Sequence, residues 1–142
     1  GMALAQYVAG MAFSNVGLGV VHGMAHPMGS LFDIPHGVAN ALLLPTIMEY
    51  NKPVCIDKYV EIAKAMDAYK EGMTKAEAAQ AACDAVRALA IEVGIPQHLS
   101  DLGITAKDID ALADQAIEDV CTPGNPRLVT RQDIVELYKK VL

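Results

Sequence analysis

Apolar residues along the chain follow the 3.6-residue period of α-helices almost throughout. Leu4, Val8 and Met11, for example, are spaced so that they share one helical face. No run of alternating apolar and polar residues is bounded by turn residues, so the pattern predicts no β-strand. We therefore predict an all-α protein, a single bundle of about seven helices. The predicted helices cover approximately residues 2–13, 18–32, 36–50, 53–68, 74–93, 105–120 and 130–141.

Residues typical of helix ends support these boundaries. The segments 74–77, 105–108 and 130–133 each begin with Thr and carry Glu or Asp three residues later, which resembles a capping box. Pro35 marks a turn before the third helix, and Pro53 marks the beginning of the fourth. We expect the second helix to be fully buried, with small residues that let neighbouring backbones approach closely. These small residues are Gly19, Gly23, Ala25 and Gly29.

The first third of the chain is almost free of charge. Lys52 is the first basic residue, and Asp33 and Glu49 are the only acidic residues before it. A segment this apolar must be buried, either in its own domain or against something outside the chain. It lacks the basic start of a signal peptide. Polar residues also interrupt it before any apolar run reaches the roughly 18 residues that a membrane span needs.

The length and composition favour a single domain over residues 1–142. The net charge of −6 argues against binding to nucleic acids, whose phosphate backbone is also negatively charged. Cys55, Cys83 and Cys121 are widely spaced, which predicts neither disulfides nor a zinc ribbon and favours a reducing, cytoplasmic location. The sequence also lacks the glycine-rich loops that bind the phosphates of nucleotides and dinucleotides.

The candidate functional residues are three histidines that fall within fifteen positions of the sequence: His22, His26 and His36. The remaining one, His98, lies in a polar segment and is predicted to be exposed. A buried imidazole without a partner costs roughly 1–3 kcal/mol, and a divalent metal ion is one possible partner. Helix spacing pairs His22 with His26 on one face, with Asp33 available as a further ligand. Core histidines bonded to backbone carbonyls are the alternative, and the residues alone leave the ligand set open.

A resemblance to a known family narrows this choice. Residues 22–29 (HGMAHPMG) and 34–37 (IPHG) are similar to the signature of the iron-containing alcohol dehydrogenases. Residues 10–19 and 119–127 resemble the flanking and near-terminal stretches of the same family, so the likeness covers essentially the whole chain. Within the family, the sequence most resembles the lactaldehyde reductases, which are propanediol oxidoreductases, and the 1,3-propanediol dehydrogenases.

The resemblance implies roles for individual residues. The family holds its metal, iron or another divalent ion such as zinc, with one Asp and three His, and two of these match His22 and His36. His26 matches a histidine that faces the nicotinamide and the substrate and would position or relay protons. Asp33 has no role in that pattern. The resemblance places three residues in the substrate pocket: Phe13, Leu18 and Cys121.

Simpler roles stay open for the pocket residues. Phe13 and Leu18 also fit ordinary core packing, and Cys121 could be a small buried apolar residue. Cys121 is not expected to act as a nucleophile, because the implied chemistry is hydride transfer.

The resemblance also implies that the chain is a part of an enzyme. The other two ligands and the α/β domain that binds NAD(P) are expected upstream of it. In the complete enzyme, the metal would act as a Lewis acid on the alcohol oxygen and hydride would pass to the cofactor. We expect the domain alone to be inactive and its apolar face to meet the absent domain or a second copy.

Two other functions remain open at this stage. The chain could be a stand-alone helical binding or structural module that has lost catalysis. It could also be an independent metal-binding protein that uses His22, His26, His36 and Asp33.

Overall fold

The computed structural model describes all 142 residues and contains only helices, which confirms the all-α prediction. Two short 3-10 helices, Leu99–Leu102 and Thr122–Gly124, supplement six α-helices. The α-helices are α1 (Met2–Val16), α2 (Val20–Phe32), α3 (His36–Ala65), α4 (Lys75–Glu92), α5 (Ile109–Glu118) and α6 (Arg131–Lys140).

The count is six instead of about seven because the predicted third and fourth helices are joined across a kink at Cys55 and are described as one element, α3. Pro53 lies two residues before this kink, close to the predicted start of the fourth helix. A proline removes one backbone hydrogen bond and can kink a helix without ending it. The backbone leaves the helical conformation only at Cys55, with φ −123° and ψ 15°, and α3 then continues to Ala65.

Two of the three predicted capping boxes are present. Thr74 caps α4 and Thr130 caps α6, each in a reciprocal pair with the acidic residue three positions later. In the segment 105–108 only half of the box is present: the Asp108 carboxylate accepts the Thr105 N–H at 2.8 Å, but the Asp108 N–H donates to the Thr105 carbonyl (3.0 Å) and closes a turn. The helix α5 therefore begins only at Ile109, later than predicted.

The main core lies between α2, the first half of α3, α5 and α6. Tyr138 of α6 is fully buried, and its hydroxyl donates a 2.6 Å hydrogen bond to the carbonyl oxygen of Met24 in the middle of α2. A smaller cluster joins the second half of α3 to α4 around Tyr59 and Cys83. The largest side chains that the four helices of the main core bury completely are Val20, Met24, Met28, Leu43, Ile47, Leu112, Ile134, Leu137 and Tyr138.

The helix α2 is buried on one face only, so the prediction of a fully buried second helix was wrong. Val20, Met24 and Met28 point into the core, whereas His22 and His26 are half-buried. The candidate functional residues His22 and His26 therefore lie on the less buried face of α2.

The helix α1 contributes no residue to either core cluster, and none of its residues is buried. Its large apolar side chains are exposed, from 44% at Phe13 to 83% at Val16. This observation favours the second of the two expectations for α1, because nothing within the chain covers its apolar side chains. The helices α1 and α2 meet at an angle of 109°.

No single helix is both long and apolar enough to cross a membrane; only α1 and α2 taken together across their bend meet that test. All three cysteines are free, as the sequence indicated. The cytoplasmic location stays a prediction.

Candidate functional site

The three clustered histidines come together at the junction of α2 and α3. His22 and His26 lie one turn apart on α2, and His36 is the first residue of α3. Asp33 ends α2 in the left-handed conformation (φ 54°), and the short turn through Pro35 brings His36 back towards α2. The ring centroids of His22 and His36 are 5.3 Å apart, those of His26 and His36 5.4 Å, and those of His22 and His26 6.0 Å.

The spacing of His22 and His36 suits a shared metal ion. With metal–nitrogen distances of about 2 Å and a tetrahedral angle, two imidazoles on one ion have ring centroids about 5 Å apart. Asn40, one turn further along α3, holds His36 through its side-chain amide, 3.1 Å from Nε2 and 2.9 Å from the carbonyl oxygen. The amide oxygen of Asn40 is buried and has no hydrogen-bond partner, so one acceptor next to His36 is left unsatisfied within the chain. By their spacing the two imidazoles therefore fit a divalent ion, which would have to displace the Asn40 amide from Nε2 of His36 or bind Nδ1, and the ligand role of both histidines stays a prediction.

The local charges favour the form of His22 that can bind a metal. Burial lowers the pKa of His22, and the neighbouring imidazoles of His36 and His26 lower it further. Only a neutral imidazole has a lone pair to offer an ion, so a lowered pKa makes that form available over a wider pH range.

His26 has a partner that the sequence analysis did not identify. Its Nδ1 lies 2.7 Å from Oδ2 of Asp119, the residue that follows α5, 93 positions further along the chain. The other carboxylate oxygen, Oδ1, accepts the backbone N–H of Cys121 at 2.8 Å. Burial by itself raises the pKa of Asp119, but the hydrogen bonds from Cys121 and His26 outweigh it and hold the pKa below its usual value.

Asp119 was missed because no local spacing links it to His26. Its only sequence signal was its position at the start of segment 119–127, which resembles the family. The contact depends on tertiary packing between α2 and the segment after α5.

His26, Asp119 and Cys121 form the group of potential metal ligands whose donor atoms all lie within 4.8 Å of one another. Of the four residues considered for an independent metal site, only His26 belongs to this group, and His22, His36 and Asp33 do not. The hydrogen bond between His26 and Asp119 explains their proximity without an ion.

The segment after α5, residues 119–125, is held against α2 by close backbone contacts. A Cβ atom added to Gly23 would lie 2.0 Å from Oγ1 of Thr122, whose hydroxyl donates a 2.6 Å hydrogen bond to the carbonyl of Ala116. A Cβ atom added to Gly124 would lie 2.0 Å from the carbonyl oxygen of Leu18. Glycine at these positions is what allows Asp119 to approach His26.

An amide pair fastens the far end of the same segment to α3. Asn125 and Asn51 exchange two side-chain hydrogen bonds, of 2.8 and 2.9 Å. Asn51 is buried, so the pair is shielded from competing water.

The predicted pocket residues come from three segments around the histidines. Phe13, in the last turn of α1, has its ring centroid 6.3 Å from that of His22. Leu18 is half-buried in the link between α1 and α2, and Cys121 is half-buried beside Asp119. Their roles in binding substrate stay predictions. His98 is exposed, as expected, immediately before the first 3-10 helix.

Comparisons with known proteins match the whole chain to one family. The profile described as "Fe-containing alcohol dehydrogenase family, C-terminal" matches residues 1–142. Lactaldehyde reductase of Escherichia coli strain K12 is 60% identical over 137 residues, which cover 96% of this chain and 36% of that protein. The 1,3-propanediol dehydrogenase of Citrobacter freundii is 42% identical over 139 residues, which cover 98% of this chain and 36% of that protein.

Solved structures agree with the sequence comparisons. A crystal structure of a 1,3-propanediol oxidoreductase superposes with a TM-score of 0.97 at 42% identity, covering 99% of this chain and 37% of the other. An alcohol dehydrogenase from Oenococcus oeni gives a TM-score of 0.90 at 40% identity, covering 94% and 35%. The chain therefore spans little more than a third of the length of the relatives it matches.

Proposed function

The chain belongs to the Fe-containing alcohol dehydrogenase family, whose C-terminal part it matches, and from this premise we propose that it is the metal-ligand-bearing helical domain of an NAD(P)-linked alcohol dehydrogenase. The observation that supports this most directly is the convergence of His22, His26 and His36 at one junction of two helices. Because the chain spans about a third of its relatives, the activity belongs to a longer protein.

We assign metal binding to His22 and His36. Their rings are 5.3 Å apart, and His36 is exposed, so the site is open for ligands from outside this chain. When bound, a divalent ion such as iron or zinc supplies Lewis acidity to an alcohol or aldehyde oxygen. The side-chain amide of Asn40 contacts His36 at ring atom Nε2 and at the backbone carbonyl oxygen.

His26 holds or moves the proton in this proposal. Its half-buried ring lies 6.0 Å from that of His22 and 5.4 Å from that of His36, which supports a role next to the proposed metal ligands. An imidazole is suited to this task because its pKa lies near neutral pH.

The proposed substrate is a small alcohol or aldehyde like those in the names of the relatives, lactaldehyde and propanediol. Phe13, Leu18 and Cys121 would supply apolar walls next to the histidines. Hydride transfer to NAD(P) is the chemistry of the cofactor, which the rest of the longer protein would bind.

The exposed apolar side chains of α1 are proposed to pack against the rest of that longer protein. Seven large apolar residues on one fifteen-residue helix, with none of them buried, are far more than a solvated helix carries. In the isolated chain, the same side chains are expected to cause self-association.

A chimera tests the proposed function. Residues 1–142 would replace the corresponding third of the Escherichia coli lactaldehyde reductase, which is 60% identical over 137 residues. We expect NAD-dependent oxidation of 1,2-propanediol. We also expect His22→Ala and His36→Ala to reduce activity and bound metal by more than the roughly 10–100-fold that residues outside the ligand set typically contribute.

His98→Ala is the matched control, because His98 is exposed and lies outside the cluster. It should retain the activity and the metal content of the parent chimera. A folded chimera that keeps its bound metal after both His22→Ala and His36→Ala would contradict the proposed ligand set.

A stand-alone metal-binding protein is the second candidate, favoured by the close group of His26, Asp119 and Cys121. Cobalt(II) distinguishes the two candidates, since a thiolate ligand produces a charge-transfer absorption that imidazoles do not. That band, abolished by Cys121→Ser and unaffected by His36→Ala, would support the second candidate. Its absence in a cobalt-loaded chain would support binding at His22 and His36.

A further inference from the structure

We propose that Asp119 is a positioning residue that fixes the tautomer of His26, with the proton on Nδ1 and the lone pair on Nε2. This inference deepens the proposed function and rests on it for its catalytic meaning, since Nε2 would then be the nitrogen that accepts a proton from the alcohol. The tautomer itself can be measured in the chain without metal, cofactor or substrate.

The first step is to establish which atom donates in each of the two hydrogen bonds to the Asp119 carboxylate. Oδ1 of Asp119 accepts the backbone N–H of Cys121, a donor that cannot reverse. Oδ2 lies 2.7 Å from Nδ1 of His26. A carboxylate can only accept hydrogen bonds, so a bond this short requires a proton on Nδ1. In a neutral imidazole, Nε2 then carries the free lone pair.

The second step is that the carboxylate cannot easily turn away. The Asp119 side chain is only 15% exposed, compared with 39% for His26. The segment that follows Asp119 is fixed to α5 by the bond from Thr122 to Ala116 and to α2 by the close approach at Gly23. Water therefore competes poorly for Oδ2, and the acceptor is held in one position.

The third step is that no other partner determines the tautomer. The bond to Asp119 is the hydrogen bond that the His26 ring makes within the chain. Its other close neighbours are the ring of His36, stacked at an interplanar angle of 18°, the ring of His22, edge-on at 69°, and the thiol of Cys121, and none of them forms a hydrogen bond with the His26 ring. Stacking has no preference between ring nitrogens, so the choice depends on Asp119.

An isosteric substitution makes this testable, because it reverses one hydrogen bond without changing the shape of the side chain. In Asp119→Asn, the single amide oxygen stays with the Cys121 N–H, and the amide NH₂ then faces Nδ1 of His26. An NH₂ group can only donate, so Nδ1 must accept and the proton moves to Nε2. Replacing an aspartate next to a histidine by asparagine can in this way preserve geometry and select the other tautomer.

The experiment is a long-range ¹H–¹⁵N correlation spectrum of the metal-free chain, recorded at a pH where the imidazoles are neutral. Nitrogens that carry a proton and nitrogens that carry a lone pair differ strongly in chemical shift. The wild-type chain should show a protonated Nδ1 and an unprotonated Nε2 for His26, and Asp119→Asn should exchange the two.

Asp114→Asn is the matched control. Asp114 lies on α5 and bonds to Arg131 at 2.6 Å, away from His26, so this variant should keep the wild-type tautomer. A wild-type spectrum with the proton on Nε2 would overturn the proposal, and so would an Asp119→Asn spectrum that keeps it on Nδ1. The wild-type measurement decides the question even if a variant does not fold. An inactive chimera would contradict the proposed dehydrogenase function without changing the tautomer measured for His26. The two proposals can therefore be refuted independently.

Discussion

Gly23 should be the position where a single added methyl group does most damage to the site. It lies on the buried face of α2, between the two histidines of that helix. In Gly23→Ala, the new Cβ would lie 2.0 Å from Oγ1 of Thr122, 3.3 Å from its Cβ and 3.4 Å from the carbonyl oxygen of Ala116. Ordinary van der Waals contact begins at 3.4 Å, so Thr122 or the whole α2 backbone must move.

The change in the free energy of unfolding caused by Gly23→Ala is the sum of opposing effects. Alanine favours the helix over glycine by roughly 1 kcal/mol. Overpacking a tight site typically costs about 1–3 kcal/mol. Rotating the Thr122 hydroxyl away would break its 2.6 Å bond to Ala116, at roughly a further 1 kcal/mol. We expect a net destabilisation of about 1–3 kcal/mol, or a fall in Tm of about 3–10 °C for a chain of this length.

Thermal unfolding followed by circular dichroism measures this effect, and a second substitution identifies its cause. Thr122→Ala removes the oxygen that the new methyl group would meet. If the overlap with that oxygen is responsible, Gly23→Ala should cost little in the Thr122→Ala background and could become stabilising through helix propensity. The double-mutant cycle should therefore give a coupling of about 1–3 kcal/mol.

Gly37→Ala provides the control for helix propensity. Gly37 also lies in an α-helix, and a Cβ atom there would meet nothing within 4 Å. We expect this variant to be neutral or slightly stabilised. The reasoning would be refuted if Gly23→Ala left Tm unchanged, or if it cost the same with and without the Thr122 hydroxyl.

Three further predictions follow from the structure. The isolated chain should show no NAD-dependent oxidation of 1,2-propanediol, and turnover by pure protein in a spectrophotometric assay would contradict the proposal that the activity belongs to a longer protein. Tyr7→Lys combined with Met11→Lys should reduce self-association in sedimentation velocity, whereas Leu128→Lys, at an apolar residue 88% exposed outside α1, should not; equal association of all three proteins would count against α1 as the cause. The capping hydrogen bonds from Thr74 and Thr130 hold the pKa values of Glu77 and Asp133 below their usual values. The two ionised carboxylates therefore stabilise the folded chain above about pH 4, and this stabilisation is lost as the pH falls through their folded-state pKa values. Glu77→Gln combined with Asp133→Asn should therefore make the urea unfolding midpoint depend less steeply on pH between about pH 5 and pH 2, and an unchanged slope would refute this.

The sequence was informative wherever one short segment determines the structure. The caps at Thr74 and Thr130 are local, so they could be identified from residues three positions apart. Pro53 located the kink in α3 to within two residues, but whether a proline ends a helix or only kinks it depends on the packing around it. The second half of α3, beyond the kink at Cys55, packs against α4.

The same distinction applies to the site. His22 and His26 are four residues apart, and a short turn separates them from His36, so their proximity followed from helix geometry and from the resemblance. The partner of His26 did not, because Asp119 is 93 positions away and reaches it only through tertiary packing. The glycines predicted to allow close backbone approach were the available clue: Gly19 contacts Asn125, and Gly23 contacts Thr122, both in the segment that begins with Asp119.

The exposed helix α1 and the proposed metal site are best understood together. Phe13 is in the last turn of α1, and its ring is 6.3 Å from that of His22. Whatever covers Phe13 must therefore come close to His22 as well. A segment that packed there could bring further ligands and exclude water in a single step, which would explain why α1 is apolar and yet unburied within this chain. The same coupling implies that a metal-binding longer protein should protect the α1 amides from hydrogen exchange, whereas in the isolated chain they should exchange near the rate of a frayed helix.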